Sequence, residues 1–247
     1  MIDIHSHMLP MVDDGSNSVK MSLRLLDEAY QSGTNKVVLT PHFARSRHYI
    51  NPKGKIRPLF QDLCRIVKQN HIPIKMYLGT EYFYESKTLF QSHLPDIQRI
   101  NDTQYLLTEF FPDCKENTIL EAVHEMVSRG LIPVIAHPER YECIQIDPML
   151  YHKIRRKGGL LQMNKGSLLG LHGSFAEEAA YELLANKAYS FVGSDAHHPV
   201  YRDSDMSEAC RIVKRYGGEK YAKKIFEKNP EKMLRGIEIR KKVSNET

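Results

Sequence analysis

Seven short apolar runs recur along the chain, each separated from the next by a longer segment of mixed polarity. Their length and their content of residues that favour strands are typical of buried β-strands. The runs lie at 2–4, 36–40, 74–78, 104–108, 132–136, 160–163 and 189–192.

The segments between most of these runs have helical periodicity. One predicted helix follows the capping candidates Ser16 and Asn17, and another follows Glu116. Their predicted apolar faces are Val19, Leu23, Leu26 and Tyr30 in the first, and Ile119, Val123, Met126 and Val127 in the second. Segments 175–185 and 206–216 have a similar pattern. Strands that alternate with helices predict parallel βα units, and seven of them favour a closed α/β barrel over an open sheet.

Length and composition fit one barrel. The 247 residues are 41% hydrophobic, enough for one full core, so we expect a single domain over 1–247. The first motif begins at Asp3, which leaves no room for a signal peptide, and no apolar run approaches the roughly 20 residues that span a bilayer. We therefore expect a cytoplasmic protein without membrane insertion.

The cysteines indicate no thiol chemistry. Cys64, Cys114, Cys143 and Cys210 form no C-x-x-C pair, and none has an arginine six residues later. We expect reduced, structural thiols and a mechanism that does not use cysteine.

The net charge of +5 is concentrated at the C-terminal end. Residues 211–242 contain twelve Lys or Arg against four Glu. We interpret this stretch as the solvated face of terminal helices rather than as a nucleic-acid surface, and a patch that docks an acidic partner remains the alternative.

Segment 43–58 is polar and contains aromatic residues, but it has no periodicity. We predict a long loop above the barrel mouth. It is either a substrate-binding lip or a plain connector.

Histidines and carboxylates stand at or just past the end of six of the seven runs. The C-terminal ends of barrel strands meet at one mouth, where barrel enzymes place their chemistry. The pattern therefore predicts a multinuclear metal site at that mouth. The candidate ligands are His5, His7, His42, Glu81, Glu109, His137, Asp195 and His197, with Asp14 close behind the first run.

The spacing and type of these residues suit metal binding. His5 and His7 leave the same face of a strand and can grip one ion, unless they are a chance pair on an exposed strand. Glu81 and Glu109 end apolar strands, where a cation or a salt bridge must compensate their charge. Nitrogen and oxygen donors without thiolates suit Mn²⁺, Fe, Zn²⁺ or Mg²⁺.

Other polar residues are less specific. Asp14 precedes Gly15 in a turn sequence that is also typical of a helix entry. Arg140 and Arg202 follow ligand-bearing strand ends and offer planar donor forks for a phosphate, although loop arginines are often merely solvated. His48 and His198 are left open. Five further histidines are interpreted as ordinary core residues: His71, His93, His124, His152 and His172.

With these residues placed, the chain resembles the PHP (polymerase and histidinol phosphatase) superfamily. Within it, the chain is most similar to bacterial manganese-dependent protein tyrosine phosphatases encoded with capsule and exopolysaccharide synthesis genes. Met11 and Lys165 stand where relatives usually have a glycine and a small residue, which affects the shape of the mouth but removes no ligand. The matching stretches cover about 200 residues in order: 3–7, 9–10, 13–16, 40–42, 79–81, 109, 137–141, 164–170 and 193–197.

The resemblance implies a distorted (β/α)7 barrel of the TIM-like PHP type with three metal ions, Mn²⁺ or Fe. It implies one ion on His5, His7, Glu81 and Asp195, a second on Glu81, Glu109 and His137, and a third on Asp14, His42 and His197. It also places Arg140 and Arg202 on the phosphate, with Asp195 and His42 among the catalytic residues. A metal-bound hydroxide would attack phosphorus, and tyrosine would leave as a phenolate.

By the same resemblance the substrate would be a phosphotyrosine protein, namely the C-terminal tail of an autophosphorylated bacterial tyrosine kinase that controls capsule or exopolysaccharide synthesis. The alternatives are a histidinol phosphate phosphatase or another small phosphoester hydrolase on the same scaffold. A metal-dependent amidohydrolase would commonly place a bridging lysine where this chain has Glu109. A non-catalytic phosphoprotein-binding module is disfavoured by the complete ligand set.

Overall fold

The computed structural model describes residues 1–239. All seven predicted strands are present, and two short strands follow the second and third of them. The strands are β1 (Ile2–Ser6), β2 (Lys36–Leu39), β3 (His42–Phe43), β4 (Lys75–Leu78), β5 (Glu81–Phe83), β6 (Tyr105–Glu109), β7 (Ile132–Ala136), β8 (Leu160–Asn164) and β9 (Phe191–Gly193).

Helices connect most of the strands. Short 3₁₀ turns lie at Ile100–Asp102 and Pro138–Arg140, and one turn of π-helix, Lys224–Lys228, precedes the last helix. Within residues 1–239, no helix is both long enough and apolar enough to cross a membrane. The helices are α1 (Val19–Gln31), α2 (Lys53–Gln69), α3 (Lys87–His93), α4 (Glu116–Ser128), α5 (Glu142–Ile146), α6 (Leu150–Lys157), α7 (Lys165–Leu168), α8 (Ser174–Ala185), α9 (Ser207–Gly217), α10 (Glu219–Lys223) and α11 (Asn229–Leu234).

The strands form a distorted (β/α)7 barrel. All neighbouring strands are parallel, and they form two sheets. One sheet has the order β1-β2-β4, and the other has the order β3-β5-β6-β7-β8-β9. The first and last strands meet where Asp195 N–H donates to the His5 carbonyl over 2.8 Å and His7 N–H donates to the Ala196 carbonyl over 2.9 Å. These two bonds close the ring.

Two barrel strands are interrupted near the mouth. Pro41 separates β2 from β3, and it has no N–H to offer a neighbouring strand. The adjacent strand is interrupted at Gly79, where an added Cβ would lie 3.0 Å from the Ile100 side chain. Pairing resumes beyond both breaks with His42 directly opposite Glu81. The breaks therefore leave two predicted ligands side by side.

The first helix begins later than predicted. Its N-cap is Ser18, whose hydroxyl accepts a bond from the Met21 N–H over 3.3 Å, whereas the Ser16 hydroxyl is buried against Ser22. The buried face of the helix also differs from the prediction, and only Leu26 of the four predicted apolar positions is buried. The residues that face the core are Ser22, Leu25, Leu26 and Ala29.

The other predicted helices are confirmed within about a residue at each end. In α4, three of the four predicted apolar positions, Ile119, Val123 and Met126, are fully buried. Val127 is 37% exposed, because the buried stripe of this helix is narrower than the run of apolar residues.

The predicted loop over 43–58 is shorter than expected. A bridge between Ala44 and Tyr49 shapes it, and α2 begins at Lys53. The part of the helix within 43–58 has no visible periodicity because Ile56 is its only buried side chain, and the apolar face continues later at Phe60, Leu63 and Val67.

The basic C-terminal segment forms helices, as predicted, through α11. Tyr221, Ile225, Phe226 and Met233 are buried, and the neighbouring lysines and arginines are largely exposed or half-buried. Residues 240–242 of the predicted basic stretch lie outside the described residues.

The five histidines interpreted as core residues do not lie in the core. His71, His124 and His152 are exposed, and His93 and His172 are half-buried, because they occupy turns and outer helix faces. The four cysteines are free thiols, as predicted. In space, however, Cys114 and Cys143 are hydrogen-bonded neighbours.

Tyr141 ties together the ends of two barrel strands. Its buried hydroxyl donates to the Ala136 carbonyl over 2.9 Å and accepts from the Phe110 N–H over 3.2 Å. We predict that Tyr141→Phe lowers the free energy of unfolding by about 1–3 kcal/mol, because two buried backbone groups lose their partner. Urea unfolding measures this change.

The matched control is Tyr216→Phe, because Tyr216 is 59% exposed. Its unfolding free energy should stay within about 0.5 kcal/mol of the parent chain. Equal stability of the two variants would contradict the role assigned to Tyr141.

Candidate metal centre

All nine predicted ligands converge at the mouth of the barrel. They come from β1 and the turn after it, from β3, β5 and β6, and from the residues just past β7 and β9. Eight of them are buried, and Asp14 is exposed at the rim. A polar cavity of about 350 Å³ opens above them.

The deepest group surrounds a single point. The Nε2 atoms of His5 and His7 lie 3.2 Å apart, and Glu81 Oε2 lies 3.2 Å from each. Asp195 Oδ1 lies 3.4 Å from both nitrogens. Four donor atoms at this spacing fit a cation with metal–ligand distances of about 2.0–2.2 Å.

A second group shares Glu81. His137 Nε2 lies 3.1 Å from Glu81 Oε1 and 3.8 Å from Glu109 Oε1. His42 Nδ1 lies 3.1 Å from Glu81 Oε2 and 3.7 Å from Glu109 Oε2. His42 therefore stands closer to these carboxylates than the resemblance implies.

A third group lies nearer the rim. Asp14 Oδ1 lies 3.5 Å from His42 Nε2 and 3.6 Å from His197 Nε2. His7 completes a set of four side chains whose donor atoms all lie within 4.8 Å of one another. His7 and His42 therefore each belong to two groups, whereas the resemblance implies that each belongs to only one.

The charges in the site are poorly balanced without a cation. Burial and then the nearby Glu81 carboxylate raise the pKa of Glu109 to about 8. Burial would also raise the pKa of Glu81, but the imidazoles of His5 and His42 hold it well below its ordinary value. Burial and then Arg140 lower the pKa of His137 to about 3, which leaves that ring neutral.

Several buried nitrogens have no hydrogen-bond partner within the described chain, namely His42 Nδ1, His137 Nδ1 and His197 Nε2. Buried polar atoms without partners are uncommon and costly. Imidazole nitrogens and carboxylate oxygens aimed at common points are the ligand set of divalent metals. The residues present therefore fit a cluster of metal ions.

Comparison with known proteins agrees with this geometry. The family model for capsular polysaccharide synthesis, CpsB/CapC, matches residues 1–235. The chain belongs to the CpsB/CapC family.

Two curated relatives are tyrosine-protein phosphatases by name. YwqE of Bacillus subtilis (strain 168) is 30% identical over 239 residues, which cover 97% of this chain and 93% of that protein. CpsB of Streptococcus agalactiae serotype V is 30% identical over 241 residues, which cover 95% of this chain and 98% of that protein.

A solved structure is also similar along the whole barrel. It comes from the crystal structures of YwqE from Bacillus subtilis and CpsB from Streptococcus pneumoniae, described as unique metal-dependent tyrosine phosphatases. The TM-score is 0.89 at 29% identity, with 97% of this chain and 96% of that chain covered.

Residues behind the ligands of this CpsB/CapC chain fix the histidine rings. Gln162 Oε1 lies 2.8 Å from His5 Nδ1, and Asp13 Oδ2 lies 2.8 Å from His7 Nδ1. Because each Nδ1–H donates to its oxygen, each Nε2 keeps a lone pair for a metal. Neither partner was predicted as a site residue. The only signal for Asp13 was its place in the turn before Gly15.

Asp195 receives its own set of donors. Arg202 Nη2 lies 2.6 Å from Asp195 Oδ2, Asn164 Nδ2 donates to the same oxygen over 2.7 Å, and Arg140 Nη1 lies 3.5 Å from it. The structure thus brings both predicted arginines to the cavity wall. The Asn164 N–H in turn donates to the buried Glu139 carboxylate over 2.9 Å.

Two residues of the 43–52 loop also line the cavity. Arg47 forms a two-pronged ion pair with Glu109, at 2.9 and 3.2 Å, and its guanidinium lies 4.3 Å from the centre of the Phe83 ring. The Tyr49 ring stacks on His42 with centroids 5.7 Å apart. The sequence pattern predicted a loop here, either a substrate-binding lip or a connector, but it indicated no role for Arg47 or Tyr49.

The backbone is unusual at two candidate ligands. His137 has φ of 31° and Asp195 has φ of 53°, both in the left-handed region that side-chain-bearing residues rarely adopt. Such strain at functional sites is maintained by surrounding contacts. Here the donors to Asp195 supply those contacts.

The Asp13 contact makes a testable prediction. We expect Asp13→Asn to weaken Mn²⁺ binding by about 10–100-fold, because the amide no longer favours the His7 tautomer that frees Nε2. Titration of the metal-free protein against a competing chelator measures the affinity.

Asp62→Asn is the control, because Asp62 is 55% exposed and pairs only with Arg65 among the described contacts. Its affinity should match the parent chain. An Asp13→Asn variant with unchanged affinity would show that the ring orientation of His7 is set by other contacts.

Proposed function

We propose that this chain is a metal-dependent protein-tyrosine-phosphate phosphatase, built as one phosphatase domain. The observation that carries the proposal is the convergence of nine nitrogen and oxygen donors beneath one polar cavity whose wall contains Arg140 and Arg202. The family membership and the names of its relatives support the same activity.

We propose that the site holds three ions of Mn²⁺. Imidazole and carboxylate donors without thiolates suit this metal and also accept Fe, Zn²⁺ or Mg²⁺. His5, His7, Glu81 and Asp195 would hold the deepest ion, and His42 would contribute to the outer two. The remaining ligands would be Glu109 and His137 for the second ion, and Asp14 and His197 for the third.

Bound divalent ions would neutralise phosphoryl charge and lower the pKa of a bound water to about 7, which supplies a nucleophile at neutral pH. The chain itself provides the orientation. Arg140 and Arg202 present guanidinium donors to phosphoryl oxygens, and the Asp195 carboxylate between them fixes their direction. Tyrosine leaves with a phenol pKa of about 10, so it needs less proton donation than an alcohol.

We propose a phosphotyrosine protein as substrate, namely the C-terminal tail of a bacterial tyrosine kinase that acts in capsule or exopolysaccharide synthesis. The capsular polysaccharide synthesis description of the family supports this assignment. The cavity opens at the barrel mouth, and an extended tail can reach it.

The decisive experiment is phosphate release from a tyrosine-phosphorylated peptide by metal-stripped protein, with and without added Mn²⁺. We expect release only with Mn²⁺, and parallel assays with Fe, Zn²⁺ and Mg²⁺ rank the metals. No release under any metal would refute the proposed activity.

Removing a ligand of the deepest group provides the second test. We predict that His5→Ala or Asp195→Ala abolishes turnover and retains the fold, with the parent helix content by circular dichroism. The control is His71→Ala, because His71 is exposed and lies outside the site. Full activity in either ligand variant would contradict the proposed metal assignment.

A further inference from the structure

A second, smaller cavity adjoins the mouth of the barrel. Its volume is about 120 Å³, and it shares Asp195 and Arg202 with the larger cavity above the metal ligands. A molecule whose phosphoryl group lies against Arg202 can therefore extend into this side cavity. The volume is well below the roughly 300–1,000 Å³ of sites for drug-sized ligands, so it suits a single small group.

Two exposed apolar side chains line the cavity. Leu171 is 59% exposed, and Tyr201 is 67% exposed. Leu171 lies in a tight turn bounded by Gly170 and Gly173, whose φ values of 74° and 87° are in the left-handed region that favours glycine. These two side chains give the cavity an apolar wall beside the polar site.

The Tyr201 ring is held in place although it is exposed. It stacks on His198 with centroids 4.0 Å apart and planes only 6° from parallel. The next residue, Arg202, exchanges backbone hydrogen bonds with His198 at 3.1 and 3.2 Å. The turn therefore presents an oriented ring and a phosphate-binding guanidinium together.

A neutral histidine completes the lining. His172 is half-buried, and its Nδ1 lies 3.0 Å from the Ser167 hydroxyl. Burial and then Arg140 lower the pKa of His172 to about 4, so its ring is uncharged near neutral pH. An added Cβ at Gly166 would lie 2.8 Å from the His172 ring, so the glycine permits this close approach.

The Lys165 ammonium beside the cavity is already neutralised. Lys165 is only 3% exposed, pairs with the Asp203 carboxylate and donates to the Asp205 carbonyl over 2.8 Å. Its positive charge is therefore already balanced by a carboxylate, so it does not require a negatively charged ligand. Its two contacts also fix the segment just after Arg202.

We propose that the side cavity formed by Leu171, His172 and Tyr201 is the subsite for the aromatic ring of an aryl phosphate. The inference rests on the proposed phosphatase function, and it assigns the recognition of phenolic over alkyl phosphates to these residues. The polar cavity would take the phosphoryl group, and the Leu171 and Tyr201 side chains of the side cavity would cover one ring. An alkyl phosphate would leave these apolar surfaces exposed.

Binding of two non-hydrolysable probes to the Mn²⁺-loaded protein tests this subsite. Isothermal titration should give a dissociation constant for phenylphosphonate about tenfold lower than for methylphosphonate, because the ring buries apolar surface. The double variant Leu171→Ala/Tyr201→Ala should lose this preference and bind methylphosphonate as the parent chain does. Tyr201→Phe should retain the preference, because the ring is kept.

Phe175→Ala is the matched control, because Phe175 is 73% exposed and does not line the side cavity. It should keep the parent preference. A parent chain without the preference, or a double variant that keeps it, would overturn the subsite. Equal weakening of both probes would also overturn it, because Tyr201 would then act through Arg202.

The outcomes separate the two proposals. Failure to hydrolyse a tyrosine-phosphorylated peptide with any metal, together with a retained preference for phenylphosphonate, would refute the phosphatase function and leave the ring subsite standing. Hydrolysis of the peptide without a preference between the two phosphonates would refute only the subsite.

Discussion

The repulsion among buried donor atoms at the barrel mouth is the constraint on which the site depends. Glu81 lies at its centre, with its two oxygens 3.1–3.2 Å from four imidazole nitrogens. Burial and then the nearby Glu81 carboxylate raise the pKa of a second carboxylate, Glu109, to about 8. Protons relieve this arrangement only in part, whereas divalent ions satisfy lone pairs and charge together. The donor set at the mouth therefore suits cations better than protons.

The wall also determines how rigidly the donors are held. Interruptions at Pro41 and Gly79 leave His42 directly opposite Glu81. Polar residues behind the ligands, such as Asp13 and Gln162, then fix the rings by bonds of 2.8 Å. Such supporting contacts commonly change metal affinity by about 10–100-fold. The precision of the site thus comes from residues that touch no substrate.

The convergence of the candidate ligands was predictable because the strand pattern alone places them along one mouth. The strands β3 and β5 were not, since two- or three-residue strands after Pro41 and Thr80 carry too little periodicity. The face of α1 was misplaced because two small residues, Ser22 and Ala29, occupy its buried side, whereas the larger Leu23 and Tyr30 do not. The role of Arg47 depends on contacts with distant segments, namely its ion pair with Glu109 and its packing on the Phe83 ring. No local pattern encodes such contacts.

Closure of the ring between β1 and β9 has a consequence for folding. His5 and Asp195 lie 3.4 Å apart in space, but nearly the whole barrel separates them along the chain. Contacts so distant along the chain form late in folding. The deepest donor group is therefore complete only after the first and last strands have met, and a partly folded barrel lacks it.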